Sequence, residues 1–208
     1  MDNLKRSRGR PKTCADAPTD TKAVLLRAGL TWLTTSGFNQ SSLDSILRSV
    51  QVPKGSFYHH FDNKEDFGLQ VLKKYRQYFE NKLDRSLQDD SVAPLRRLNN
   101  FMADASTSMA RYDYHRGCLI GNLEGEITKL PTAFRQAIMN TYASWQNKVA
   151  ACLRLAQARG EMSPDSECQY LAEVFWIGWE GAVSRARLLS SDTPLRQFGQ
   201  FFLQQLQR

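Results

Sequence analysis

Residues 41–61 read SSLDSILRSVQVPKGSFYHHF, and this stretch decides the fold of the chain. Apolar residues recur at helical spacing from Leu43 to Val50, which predicts a helix with one apolar face. The two serines that open the stretch can cap this helix through a hydroxyl group. A Pro-Lys-Gly break then interrupts the pattern. The stretch therefore predicts a helix, a tight turn and a second, shorter helix.

The second predicted helix has two different sides. Phe57 and Phe61 are four residues apart, so they share one side and can anchor a small core. The other side chains are left for solvent or for a ligand, and they are Lys54, Ser56, Tyr58, His59 and His60. A short helix that exposes small donors, aromatic rings and a lysine suits the major groove of DNA.

Ten consecutive residues, Val52–Phe61, resemble the DNA-reading segment of TetR-type repressors, and Asn63-Lys64-Glu65 resembles the start of the helix that follows it. The resemblance implies an all-α fold. In that fold an N-terminal helix-turn-helix domain binds DNA, and a C-terminal helical domain binds a ligand and dimerises. The alternative for this stretch alone is an ordinary helical hairpin in a protein core.

The DNA contacts are expected to be of two kinds. Lys54, Ser56 and Tyr58 are candidates for reading base edges, while the histidines after them and Lys64 are better placed for phosphates. The resemblance implies backbone contacts by Ser42, Tyr58, His59 and Lys64. The predicted DNA-binding residues are Arg8, Arg10, Ser41, Ser42, Lys54, Gly55, Ser56, Tyr58, His59, His60 and Lys64.

The charge of the chain favours a polyanionic partner. Its formal net charge is +7, and five of its lysines and arginines fall within the first 12 residues. Residues 1–19 lack apolar periodicity, which predicts a disordered basic arm. The segment Arg8-Gly9-Arg10-Pro11 resembles the short arginine hooks that enter the minor groove of A/T-rich DNA. A tail that only adds solubility is the alternative.

The rest of the chain has the apolar spacing of helices and no convincing strand, so we predict an all-α fold. The expected domains are the arm at 1–19, a helix-turn-helix domain at 20–66, and a ligand-binding and dimerisation domain at 67–208. The first expected helix runs from Asp20 to Thr35, with Gly37 as the stop. Four further helices are expected from Asn63 to Leu87, from Pro94 to Met109, from Gly117 to Thr128 and from Pro131 to Gly160. The last two are expected to begin at Ser163-Pro164 and at Asp192.

The last two predicted helices have large apolar faces. The resemblance implies that they form a four-helix bundle with the same pair from a second subunit. Independently, one short recognition helix reads only a few base pairs, so a two-fold dimer on a palindromic operator is expected. The alternative is that both helices fold back onto their own core.

Residues 116–123, RGCLIGNL, narrow the resemblance to the AcuR/NemR-like subgroup of TetR-type regulators, which respond to reactive, unsaturated small molecules. Residues 175–182, FWIGWEGA, and residues 63–68, NKEDFG, are also similar to that subgroup. The resemblance implies a small-molecule effector such as acrylate or a related electrophile. It also implies that Cys118 is the sensor in an electrophile-sensing protein of the NemR-like kind.

The chemistry of Cys118 permits such a role. A thiolate adds to activated alkenes, and Arg116 together with the start of the following helix is expected to lower the thiol pKa. The alternative is a small residue packed at a helix start. Cys152 and Cys168 are expected in the core, and Cys14 is incidental. The cysteines and histidines lack metal-ligand spacing, so we predict no metal and no cofactor.

An effector pocket is expected around the aromatic residues of the long helices. Trp176 and Trp179 are three residues apart and share a face, and Arg185 follows on the same helix as a partner for a carboxylate. A plain aromatic core is the alternative. The predicted ligand-binding residues are Arg116, Cys118, Asn122, Tyr142, Trp145, Trp176, Trp179 and Arg185. Glycines at positions 117, 121 and 125 allow either close helix packing or open space for the ligand.

Together these features predict a cytoplasmic TetR-type repressor that binds its operator as a homodimer and is released by a small molecule. No apolar run reaches the length of a membrane span, and no signal region is apparent. A small helical thiol enzyme that uses Cys118 as nucleophile is an alternative, although no convincing base accompanies the thiol. A ligand-independent DNA-organising protein is a further one, and the large aromatic C-terminal domain argues against it.

Overall fold

The computed structural model describes residues 20–207, and the predicted arm with its Arg8, Arg10 and Cys14 lies outside them. The described residues form α-helices and no strand, so the predicted all-α fold is confirmed. The helices are α1 Thr21–Gln40, α2 Leu43–Ser49, α3 Lys54–Tyr58, α4 Lys64–Leu87, α5 Pro94–Ala110, α6 Leu119–Gly125, α7 Thr132–Ala158, α8 Cys168–Leu189 and α9 Thr193–Leu206.

The helices α1 to α3 form a small unit around aromatic side chains. Phe57 and Phe61 are buried as predicted, with ring centroids 5.1 Å apart. The ring of Phe67, from the first turn of α4, lies 4.9 Å from that of Phe61. Gln51 adopts a left-handed backbone with φ 54° and makes the turn between α2 and α3 tight. The three rings, from α3, from the segment after it and from α4, thus fix the orientation of α3.

Glycine breaks α1 near its end. Gly37 has φ 77° and ψ −178°, so the helix is interrupted there before a last turn ends at Gln40. The predicted stop at Gly37 therefore corresponds to a sharp corner inside a longer element. The φ value explains the residue type, since side chains other than glycine rarely adopt it. The C-terminal part of the chain contacts α1 at this corner.

The long helix α4 continues from the first unit into the second. Asn63 caps it, because the Asn63 side chain accepts a hydrogen bond of 2.9 Å from the backbone N–H of Asp66. Phe67 belongs to the aromatic core of the first unit, whereas Leu83 and Leu87 are buried further along α4. The boundary predicted between residues 66 and 67 thus falls inside a continuous helix, and the division of the chain there stays a prediction.

The C-terminal helices differ from the predicted bounds in two places. Helix α8 begins at Cys168, whereas Ser163-Pro164 was expected to open it. These two residues lie in a loop instead, because the side-chain amide of Gln157 donates hydrogen bonds to the carbonyl groups of Ser163, Pro164 and Ser166. Helix α6 is shorter than expected and is followed by a single 3-10 turn, Ile127–Lys129.

Helices α7, α8 and α9 pack side by side against α4 and α5. The centre of this unit is an aromatic cluster in which the ring centroids of Phe79 and Trp145 lie 4.3 Å apart and those of Trp145 and Trp176 lie 4.9 Å apart. Cys152 and Cys168 are buried, as expected for core residues. Within residues 20–207 no helix is long and apolar enough to cross a bilayer.

Replacing Gly29 with alanine is expected to lower the free energy of unfolding by about 1–3 kcal/mol, the usual cost of overpacking. A Cβ at this position would lie 2.5 Å from Cζ of Phe67 and 2.7 Å from Cγ2 of Val71, where α1 crosses α4. Urea denaturation followed by circular dichroism measures the change. The control is Gly55→Ala in α3, whose Cβ would meet no atom within 4 Å. Equal stability of Gly29→Ala and wild type would contradict the close α1–α4 contact.

Candidate functional site

The outer face of α3 presents most of the predicted DNA-reading side chains. Lys54, Gly55, Tyr58 and His59 are exposed, and the side chains of Ser56 and His60 are half-buried. Lys54 Nζ lies 3.5 Å from Asp44 Oδ1 in an exposed ion pair. Such a pair stabilises little in water, so a phosphate or a guanine can replace the carboxylate.

Two of the predicted DNA contacts are instead part of the α1 corner. Ser41 is fully buried, and its hydroxyl donates to the carbonyl of Gly37. Lys64 Nζ donates to the Phe38 carbonyl at 2.7 Å and lies 4.5 Å from the centre of the Phe38 ring. Burial lowers the pKa of Lys64. In this conformation both side chains therefore bind the backbone of α1. Of the two serines, Ser42 caps α2.

Glu126, between α6 and the 3-10 turn, binds the corner of α1. The Glu126 carboxylate accepts hydrogen bonds from the backbone N–H groups of Phe38 at 3.0 Å and Asn39 at 2.8 Å, and from the Asn39 side-chain amide at 2.6 Å. These are charge-assisted bonds to N–H groups that the break at Gly37 leaves without helical partners. The DNA-binding unit is thereby attached to the C-terminal unit at a second place besides α4.

Two further side chains extend this attachment. The Asn122 side-chain amide donates to the carbonyl of Thr34 at 2.8 Å, and Arg187 Nη1 donates to Asn122 Oδ1 at 2.7 Å. Asn122, Glu126 and Arg187 together connect the C-terminal unit to α1. Sequence reasoning missed Glu126 and Arg187, because their partners lie far away in the chain and no local pattern marks them.

Residues of α8 line two neighbouring cavities. The α6 cavity, between α6, α7 and α8, has a volume of about 470 Å³. The α4 cavity, between α1, α4, α5 and α8, has a volume of about 290 Å³, close to the lower end of the range for small-molecule sites. Cys118, Glu180 and Val183 line both cavities and so form the wall between them.

The predicted ligand-binding residues divide between the two cavities. Asn122, Tyr142 and Trp176 line the α6 cavity, Arg116 and Trp179 line the α4 cavity, and Cys118 lines both. Two predicted residues line neither one. Trp145 is fully buried within the aromatic cluster, which agrees with the alternative of a plain core, and Arg185 is exposed to solvent.

Arg187 and not Arg185 faces the α6 cavity. Two residues along a helix rotate the side-chain direction by roughly 200°, so these arginines point to opposite sides of α8. The glycines at 117 and 121 permit close packing, since a Cβ at Gly117 would lie 2.7 Å from Cδ of Arg187 and a Cβ at Gly121 would collide with the Glu180 carboxylate. Gly125 faces open space.

The environment of Cys118 is the reverse of the one expected from sequence. Burial, with the nearby Glu180 carboxylate, raises the pKa of the Cys118 thiol well above its usual value. The hydroxyl of Tyr75 donates a 3.5 Å hydrogen bond to its sulfur. Arg116, which was expected to lower the thiol pKa, stacks on Tyr112 with its guanidinium carbon 4.0 Å from the ring centre. The resting thiol is therefore protonated at neutral pH.

Comparison with known proteins settles the family. Residues 25–71 match the family described as bacterial regulatory proteins, tetR family, and residues 94–202 match the tetracyclin repressor-like C-terminal domain. The chain belongs to the TetR family. It is 46% identical over 198 residues to the transcriptional regulator AcuR of Cereibacter sphaeroides, covering 95% of this chain and 90% of that protein.

More distant relatives agree with this assignment. The repressor DhaR of Mycobacterium sp. is 31% identical to this chain, over 88% of this chain and 90% of DhaR. The repressor NemR of Escherichia coli is 26% identical, over 85% of this chain and 88% of NemR. A crystal structure of a regulatory protein TetR from Rhodobacter sphaeroides superimposes with a TM-score of 0.86 at 47% identity, covering 88% of this chain and 96% of that one.

The coarse function follows from the family. The chain is a TetR-type, DNA-binding transcriptional repressor and not an enzyme, so neither the hairpin nor the thiol-enzyme alternative holds. Among residues 20–207, no three histidine, cysteine, aspartate or glutamate side chains come together as a metal site would require.

Replacing Lys54 with alanine is expected to weaken operator binding by about 1–3 kcal/mol, because a contact to a base edge or a phosphate is lost. Fluorescence anisotropy with labelled operator DNA measures the affinity. Lys74→Ala is the matched control, since Lys74 is an exposed lysine on α4. Equal operator affinities of Lys54→Ala and wild type would remove Lys54 from the DNA-reading surface.

Proposed function

We propose that this repressor binds a palindromic operator as a homodimer in the cytoplasm and that acrylate, or a related small unsaturated carboxylate, releases it. The observation that carries this proposal is the composition of the α4 cavity. Its wall combines two cations, apolar aromatic rings and side chains from the DNA-binding unit itself. The similarity to the AcuR/NemR-like subgroup supports the same class of effector.

The α4 cavity suits a small unsaturated acid. Arg116 and Lys82 line it, and a guanidinium group can bind a carboxylate through two parallel hydrogen bonds. Lys82 is already paired with Asp104 at 2.7 Å, which makes Arg116 the better partner for a ligand. Phe79 and Trp179 supply apolar surface for the carbon–carbon double bond. The α6 cavity contains Glu124 and is less suited to an anion.

Binding in this cavity can act on DNA affinity through two helices. Leu30 and Thr34 of α1 and Tyr75 and Phe79 of α4 all line the α4 cavity. A ligand that favours another spacing of α1 and α4 would move the reading helix α3, which packs on both. The effector changes DNA affinity only if it binds the released conformation more tightly than the DNA-bound one.

An exposed apolar stripe on α8 supports the homodimer. Tyr170, Ile177 and Leu188 have exposed fractions of 65%, 75% and 73%, which is unusual for such side chains unless a partner covers them. Gly181 and Ser184 lie between them and would let a second helix approach closely. On α9, Phe201 continues the apolar surface. A two-fold dimer through α8 and α9 would bury the whole stripe.

Electrophile sensing by Cys118 is the second candidate function. Its support is that Cys118 lines both cavities, so a ligand in either one meets the thiol. The raised thiol pKa favours reversible binding of acrylate over covalent addition, because the thiolate is the reactive species. Modification of Cys118 would require a stronger electrophile or a change in its surroundings.

A mobility-shift assay on the DNA that flanks the gene, with and without acrylate, tests this proposal. Wild type and Cys118→Ser should both release the DNA, because the thiol is not needed for reversible binding. Arg116→Ala should bind the DNA and require at least about tenfold more acrylate for release, since a charge-assisted bidentate contact contributes more than about 1.4 kcal/mol.

Arg185→Ala is the matched control, because Arg185 lies on α8 outside both cavities, and it should respond like wild type. Release of wild type but not of Cys118→Ser would favour the electrophile-sensing alternative, and mass spectrometry would then detect the adduct. Specific DNA binding that acrylate never disturbs would disprove the proposed effector while leaving the repressor intact.

A further inference from the structure

Glu180 occupies the wall between the two cavities. It projects from the middle of α8, is mostly shielded from solvent, and lines the α4 cavity as well as the α6 cavity. Its carboxylate lies near the Cys118 thiol, and the two groups interact electrostatically. The carboxylate also lies directly against Gly121, where any larger residue would collide with it. The side chain is therefore held in one place next to the proposed effector site.

The groups that face Glu180 do not neutralise its charge. Tyr75 from α4, Glu124 from α6, Tyr142 from α7 and Cys118 interact with it electrostatically, and the cations Arg116 and Lys82 line the α4 cavity with it. Within residues 20–207 Glu180 takes part in no ion pair. Arg187, the cation of the α6 cavity, is bonded to Asn122.

Glu180 consequently changes between its protonated and its ionised form near neutral pH. Burial, partly offset by the neighbouring Cys118 thiol and reinforced by the Glu124 charge, raises the pKa of Glu180 to about 7. At about pH 6 this carboxyl group is mostly neutral, and at about pH 8 it is mostly ionised. Few carboxylates change charge in this range, so the state of Glu180 can influence what its neighbouring cavities bind.

We propose that Glu180 determines the charge selectivity of the effector site, and that a carboxylate effector binds in the α4 cavity only together with a protonated Glu180. This inference rests on the proposed function. When neutral, Glu180 adds no negative charge, and Arg116 attracts the ligand without repulsion from Glu180. When ionised, Glu180 repels a carboxylate that shares its poorly solvated wall.

The direction of the pH dependence follows from linkage. The bound state requires the proton, so binding of the acid raises the pKa of Glu180 further. Affinity is then highest below the pKa of the free protein and falls as pH rises through it. Acrylate is itself ionised throughout this range. Its uncharged analogue acrylamide is not repelled by Glu180, so its affinity should not follow the same curve.

Isothermal titration calorimetry with acrylate and with acrylamide at about pH 6 and about pH 8 tests this inference. The dissociation constant of acrylate for the wild type should rise about tenfold between the two, since the protonated fraction of Glu180 falls from about nine-tenths to about one-tenth. The dissociation constant of acrylamide should change less than about twofold. Glu180→Gln, which cannot ionise, should bind acrylate with the same affinity at both pH values.

His115 provides the control, because it is an exposed histidine next to Arg116 that lines neither cavity. His115→Gln should keep the tenfold change. Loss of the change in His115→Gln, or its persistence in Glu180→Gln, would overturn the inference, as would a flat acrylate affinity in the wild type. If Glu180→Gln does not fold, the inference is still tested by comparing acrylate with acrylamide in the wild type and by the pH dependence of acrylate affinity in His115→Gln. Absence of acrylate binding at both pH values would overturn the inference and the proposed effector together.

Discussion

The arrangement of the two units depends on one interaction, the carboxylate of Glu126 on the broken end of α1. Gly37 turns the backbone and frees the N–H groups of Phe38 and Asn39, and Glu126 accepts both of them. Together with Asn122 and Arg187, it fixes α1 to α6 and α8. Because α2 and α3 pack on α1, this contact places the DNA-reading helix relative to the ligand-binding unit.

The same constraint gives the α4 cavity its importance. Side chains of α1 and α4, the two helices on which α3 packs, line this cavity together with side chains of α8. A ligand in this cavity would displace side-chain packing that both units share. A small molecule there can therefore change the position of one unit relative to the other. The wall formed by Cys118 and Glu180 separates this site from the α6 cavity, which opens beside the exposed residues Ile177 and Ser184.

The sequence was sufficient wherever local spacing decided the outcome. The burial of Phe57 and Phe61, the Asn63 cap and the all-α fold follow from residues close together in the chain. It was insufficient where distant segments meet. Lys64 has the spacing of a surface lysine, yet its nitrogen reaches the Phe38 carbonyl. Likewise, the raised pKa of Cys118 comes from burial against α4 and α8, which no nearby residue reveals.

The most direct test of the account is a crystal structure of the protein with acrylate. We expect the ligand in the α4 cavity, with its carboxylate on Arg116 and its double bond against Trp179. Cys118 should be unmodified, and α1 and α4 should be displaced relative to the ligand-free protein. Acrylate in the α6 cavity, or bonded to the sulfur of Cys118, would contradict the assignment of the effector site and its reversible mode of binding.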